Sequence, residues 1–108
     1  MKTAFIALFF LFFSSSTGYS QNASASFKPK DGFVPDAKTA VKIAEAVLVP
    51  VYGEKQIESE RPFKARLEKG IWIVDGALNC GAPVCDGGTA EVQISKASGE
   101  ILFMNHWK

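Results

Sequence analysis

PFKARLEKGIWIVDGAL, residues 62–78, decides the fold, because the spacing of apolar residues changes period here. Phe63, Ala65 and Leu67 alternate with Lys64, Arg66 and Glu68, which is the pattern of a half-buried strand. Lys69-Gly70 reads as a turn, and IWIVDGAL (71–78) returns as a second strand. Loop length then sets which side chains share a face. A loop of even length places Phe63, Ala65 and Leu67 beside Trp72 and Val74, with Lys64 opposite Asp75. An odd loop with a glycine bulge would pair them with Ile71 and Ile73 instead. The even loop is favoured because it sets opposite charges across the strands.

Working outward, TAEVQISKA (89–97) is a third strand, Ser98-Gly99 a turn, and EILFMNHW (100–107) a fourth. The same parity argument groups Ala90, Val92 and Ile94 with Ile101, Phe103 and Trp107. On the other side of Pro62 the period is helical. Ala37, Ala40, Val41, Ala44, Val47, Leu48 and Val51 form one apolar stripe, with Lys38, Lys42 and Glu45 facing water. Pro35 and Asp36 suit the first turn of this helix, and Pro50 stops or kinks it. GEKQIESE (53–60) forms a short second helix with Ile57 as its inward anchor. Helices followed by an antiparallel meander make the class α+β, with the N-terminal helices packed on a curved four-stranded sheet.

The beginning of the chain points to export. Lys2 precedes ten consecutive apolar residues (AFIALFFLFF, 4–13), and small polar residues follow, which is the three-part form of a secretory signal peptide. Spanning a bilayer takes about 20 apolar residues, so an uncleaved anchor is disfavoured. Cleavage after Ser20 fits, as does cleavage after Ala25, where Ala23 and Ala25 supply an A-x-A pair. Residues 21–32 then read as a flexible arm and 33–108 as a single domain. Loss of residues 1–20 from the 108-residue chain removes Lys2 and no acidic residue, leaving eleven basic and eleven acidic residues and no net charge. That balance provides no electrostatic footprint for nucleic acid or an anionic membrane.

Cys80 and Cys85 are the only two cysteines, bracketing a glycine-rich loop, NCGAPVCDGG (79–88). In an oxidising compartment a structural disulfide is the favoured reading, stabilising a domain this small by about 2 kcal/mol. An unpaired, metal-binding or redox pair is the alternative. The two cysteines and His106, the single histidine, reach only three of the four ligands of a structural zinc site, and a redox pair more usually has C-x-x-C spacing. No metal or cofactor is expected.

The sheet face turned away from the helical stripe would carry Lys64, Arg66, Asp75, Glu91, Gln93 and His106. It would also carry Ile71, Ile73, Leu102 and Met104. An apolar island with a charged rim suits a protein partner. The alternative is a sheet that curls so that these residues fill its own hollow. No strong catalytic motif is present: neither H-E-x-x-H, nor a phosphate-binding G-x-x-x-x-G-K, nor G-x-S-x-G. His106 would lie near Glu91, or near Asp75 if the sheet curls; such a pair serves acid–base chemistry in a hollow and more often an ion pair.

TAVKIAEAVLVPVYGEKQIESERPFKARLEKGIWIVDGAL (39–78), followed by GGTAEVQISKASGEIL (87–102), resembles the immunity proteins of polymorphic toxin systems with the nuclear-transport-factor-2-like fold. The features that carry the resemblance are Ala44-Glu45 and Pro50 in the helix, Tyr52-Gly53-Glu54, Pro62, Trp72-Ile73-Val74 with Gly76, Gly88 before a strand and Ser98-Gly99 before the last. The likeness extends over residues 33–108; the cysteine-bracketed loop is not part of it. It implies a cone-shaped fold, cystatin-like in outline, and a non-enzymatic protein that binds and neutralises a cognate antibacterial toxin. With the export signal, it implies a periplasmic location. A small exported ligand-binding protein or enzyme using the hollow of the same fold is the alternative, as is a general exported inhibitor.

Overall fold

The computed structural model describes residues 25–81 and 87–108. The expected signal peptide, most of the proposed cleavage region and Cys85 lie outside the described residues. Two helices, α1 (Ala37–Tyr52) and α2 (Glu54–Ser59), precede four strands, β1 (Lys64–Glu68), β2 (Ile71–Asp75), β3 (Ala90–Ser95) and β4 (Ile101–His106). The strands form one antiparallel sheet in the order β1-β2-β3-β4. The class is α+β, as the switch of period implies.

Helix α1 starts where Asp36, in extended conformation, accepts the Thr39 N–H at 2.7 Å. This satisfies one of the donors a helix start leaves open. Asp36 is thus the cap of the helix and lies just outside its first turn. Pro50 does not end the helix, which runs two residues further. There Gly53, at φ 92°, turns the chain and donates its N–H to the Val49 carbonyl at 2.8 Å. Ala40, Ala44 and Leu48 are fully buried, one residue per turn, while Val41 and Val47 flank them. Ala37 and Val51, at the ends of the expected stripe, are exposed.

The β1–β2 hairpin has the even loop. Lys64 faces Asp75 and Glu68 faces Ile71, with only Lys69 and Gly70 between. Both turn residues have positive φ, 49° and 77°, the requirement of the type I′ turn whose twist matches a hairpin. Ala65 and Leu67 therefore share the helix-facing side with Trp72 and Val74. Together with Ala90, Val92 and Ile94 from β3, Trp72 and Val74 meet the α1 stripe, Ile57 and Phe63 in the core. Val34 completes it. Its carbonyl accepts the Trp72 indole N–H at 2.8 Å, and its own N–H bonds the Lys96 carbonyl at 3.0 Å. The segment entering α1 is thus tied to the β3–β4 turn, with a further bond from Lys96 Nζ to the Asp31 carbonyl.

The last hairpin departs from simple alternation. Ile94 pairs with Ile101, as the turn parity implies, but Gln93 pairs with Phe103 and Val92 with Met104. Leu102 is the extra residue of a bulge. Beyond it every β4 side chain swaps faces, because the side-chain period of a strand is two. Met104 and His106 consequently lie on the helix side, and Phe103 and Trp107 on the outer side. The expected grouping of Phe103 and Trp107 with the core, and of Met104 and His106 with the outer face, is corrected by this one residue.

Candidate functional site

Three rows of side chains cross the outer face of the sheet. Lys64, Asp75, Glu91 and Asn105 form one row; Arg66, Ile73, Gln93 and Phe103 the next; Glu68, Ile71 and Ser95 the third. Lys64, Arg66, Ile71, Ile73, Asp75, Glu91 and Gln93, all picked out by alternation, do share this face. Among the described residues the helices cover only the opposite side. Leu102 sits at the bulge, 45% exposed.

The face is hollowed rather than flat. A groove of about 540 Å³ is lined by Glu68, Lys69, Ile71, Ile73 and Gln93. A smaller hollow of about 240 Å³ lies between Lys64, Arg66, Ile73 and Asp75. Ile73 belongs to both and is only 8% exposed, so it forms an apolar floor between polar walls. Arg66 makes the wall. Its Nε donates to Glu68 Oε1 at 3.1 Å, and its Nη1 lies 3.5 Å from Asp75 Oδ2. The Glu68 hydrogen bond, aided by the charges of Glu68, Asp75 and Glu91, raises the Arg66 pKa further above its ordinary value, against the pull of desolvation. With both partners half in water, these pairs add little stability and mainly orient the guanidinium. Gln93 donates to Glu91 Oε2 at 3.2 Å, positioning that carboxylate in the same way.

Met104, placed with the outer face by simple alternation, instead packs against the core cluster. His106 meets neither Glu91 nor Asp75. Its Nε2 lies 3.1 Å from Glu60 Oε2, and its ring stands 5.5 Å from that of Tyr52. Among the described residues Glu60 is the one charged residue that is buried, 5% exposed. Its Oε1 accepts the Ala90 N–H at 2.7 Å and its Oε2 also accepts from Gln56 Nε2 at 3.0 Å. Sequence reasoning overlooked Glu60. The available signal was its position three residues after Ile57, which places both on one helical face.

The chain enters the cysteine loop from Gly76. A Cβ there would lie 2.9 Å from Glu60 Cβ, so only glycine permits this approach of backbone to backbone, which lets Ala77 N–H reach the Glu60 carbonyl at 2.7 Å. Asn79 Nδ2 donates to the Arg61 and Ser59 carbonyls at 2.6 and 3.2 Å. The loop's origin is therefore anchored to the α2–β1 connection. Cys80 is exposed; the expected Cys80–Cys85 pairing involves a residue outside the described ones.

Among the described residues no group of histidine, cysteine and carboxylate side chains could hold a metal ion, and no helix is long and apolar enough to cross a membrane. Comparison with curated proteins and with solved structures finds no match. A profile of the NTF2 fold immunity proteins matches residues 39–108, from the first turn of α1 through α2 and all four strands. Helices laid on an open four-stranded antiparallel sheet are the architecture that match requires, and the chain belongs to the NTF2 fold immunity protein family.

Proposed function

We propose that this immunity protein acts in the periplasm, as a non-enzymatic inhibitor that binds a cognate antibacterial toxin through the outer face of its sheet. The observation that carries the reading is the hollowed face itself: an apolar floor at Ile71 and Ile73 with Lys64, Arg66, Asp75 and Glu91 around it. Apolar side chains in a hollow ringed by charges match the anatomy of an interface, which takes apolar contact at its centre and specificity from charges at its rim. The apolar run at 4–13 supports export, where a disulfide between Cys80 and Cys85 would persist.

A ligand-binding or catalytic reading would have to rest on His106 and Glu60. Both Glu60 oxygens are already engaged by Ala90, Gln56 and His106, so the pair serves as a strut joining α2 to the sheet. The deciding experiment is co-expression with the toxin encoded beside this gene. Protection of the host cell, together with a complex on gel filtration, is the expected result. Continued toxicity with no complex would end the proposal.

A further inference from the structure

Glu91 lies at the centre of a corner that the groove does not include. Its cross-strand partner on β4 is Asn105, so its diagonal neighbours on that strand are Phe103 and Trp107. The bulge at Leu102 puts these two aromatics on the outer face. Their rings stack at a centroid distance of 6.1 Å and an interplanar angle of 27°. The ladder continues past the strand end, with the Trp107 N–H donating to the Thr89 carbonyl at 3.1 Å. Gly88 lies so close that a Cβ there would come within 2.5 Å of Trp107 Cβ, so the backbone of Trp107 is packed on the chain entering β3 while the residue is 49% exposed. An exposed indole stacked on a second ring, on the same face as and diagonal to an acidic residue, is an arrangement suited to a planar cation.

Building on the toxin-binding reading above, we infer that this corner is the anchor point for an arginine side chain of the partner protein. The guanidinium would stack on Trp107 and Phe103 and donate hydrogen bonds to Glu91. Two features select arginine. Its planar head stacks on a ring face, and its fork of donors matches a carboxylate. Charge complementarity agrees: Asp75 and Glu91 are direct cross-strand neighbours, and Arg66 on β1 is paired with Glu68 and Asp75, whereas Glu91 is hydrogen-bonded by Gln93. The row that crosses the sheet here runs from Lys64 on β1, through Asp75 and Glu91, to Asn105 between the two aromatics on β4, so a cationic group is matched at its β3–β4 end.

The test uses N-acetyl-arginine amide as the probe, with the leucine and glutamate amides as controls, followed at the two indole N–H signals by two-dimensional NMR. A saturable shift of the Trp107 signal with the arginine amide alone is expected, with the Trp72 signal, whose N–H is bonded to the Val34 carbonyl, unmoved. The shift should disappear in Glu91→Gln. Equal shifts with the leucine amide, or an undiminished shift in Glu91→Gln, would overturn the inference. With the toxin itself, Glu91→Gln and Trp107→Ala should each weaken binding about tenfold or more. Unchanged affinity in both removes the arginine anchor and leaves the toxin-binding reading standing. Failure of the wild-type protein to bind any toxin removes that reading, while the probe experiment, which contains no toxin, still decides whether the corner takes a guanidinium.

Discussion

His106 and Glu60, 46 residues apart in sequence, meet at 3.1 Å between Nε2 and Oε2 on the helix side of the sheet. This contact joins the last strand to the end of α2, and through Ala90 it also holds the start of β3. A buried carboxylate is costly unless its oxygens are engaged, and here Ala90, Gln56 and His106 engage both of them.

Glu60 is therefore expected to matter for stability rather than for turnover. Glu60→Ala leaves the Ala90 N–H without an acceptor and should cost about 2–3 kcal/mol. Glu60→Gln keeps an oxygen for Ala90 and should cost less. Urea unfolding followed by circular dichroism measures both; an alanine variant as stable as the parent would contradict the role given to this residue.

Trp72→Phe keeps most of the buried ring but removes the donor to the Val34 carbonyl. A loss of about 1–2 kcal/mol is expected from the unpaired buried carbonyl. The signature is local. Amide exchange at Phe33 and Val34, which bond Ala97 and Lys96, should quicken more than exchange at Val92 in the centre of the sheet.

Gly76→Ala tests the close approach of β2's exit to α2. The added methyl meets Glu60 Cβ at 2.9 Å and the Glu60 carbonyl at 3.1 Å, so the backbone must shift. Overpacking of this kind costs about 1–3 kcal/mol. Thermal melting should drop, and a second substitution at Glu60 should be less harmful in Gly76→Ala than in the parent, because the two share one contact.

On the outer face, Ile71→Asp and Arg66→Glu should each weaken toxin binding at least about tenfold. The helix-face controls Lys38→Glu and Lys42→Glu should leave it unchanged. Calorimetric titration of the purified pair separates the outcomes. Equal losses from both sets would move the interface away from the sheet.

Export and the disulfide are checked by mass. Protein from the periplasmic fraction should begin after residue 20 or 25 and weigh two hydrogens less than its reduced form, with no alkylation of Cys80 before reduction. Reduction should then lower stability by about 2 kcal/mol. A full-length chain retained in the cytoplasm would overturn the proposed location.

Most of the architecture follows from local pattern. The change from helical to alternating period at Pro62 separates helices from strands, because each periodicity can bury only one kind of face. At Lys69-Gly70 the short loop left two registers, and pairing Lys64 with Asp75 across the strands selected the one the structure adopts. Leu102 marks where such reasoning stops. Whether one residue is accommodated as a bulge depends on how β4 fits against Val92, Ile94 and the helices, and no local pattern encodes that fit. That single residue sends Met104 and His106 inward and Phe103 and Trp107 outward. The Glu60–His106 contact has the same origin. Local periodicity could place each residue on its own element. Only the packing of α2 against the sheet brought them together, because contacts between residues distant in the chain are settled by how whole faces fit.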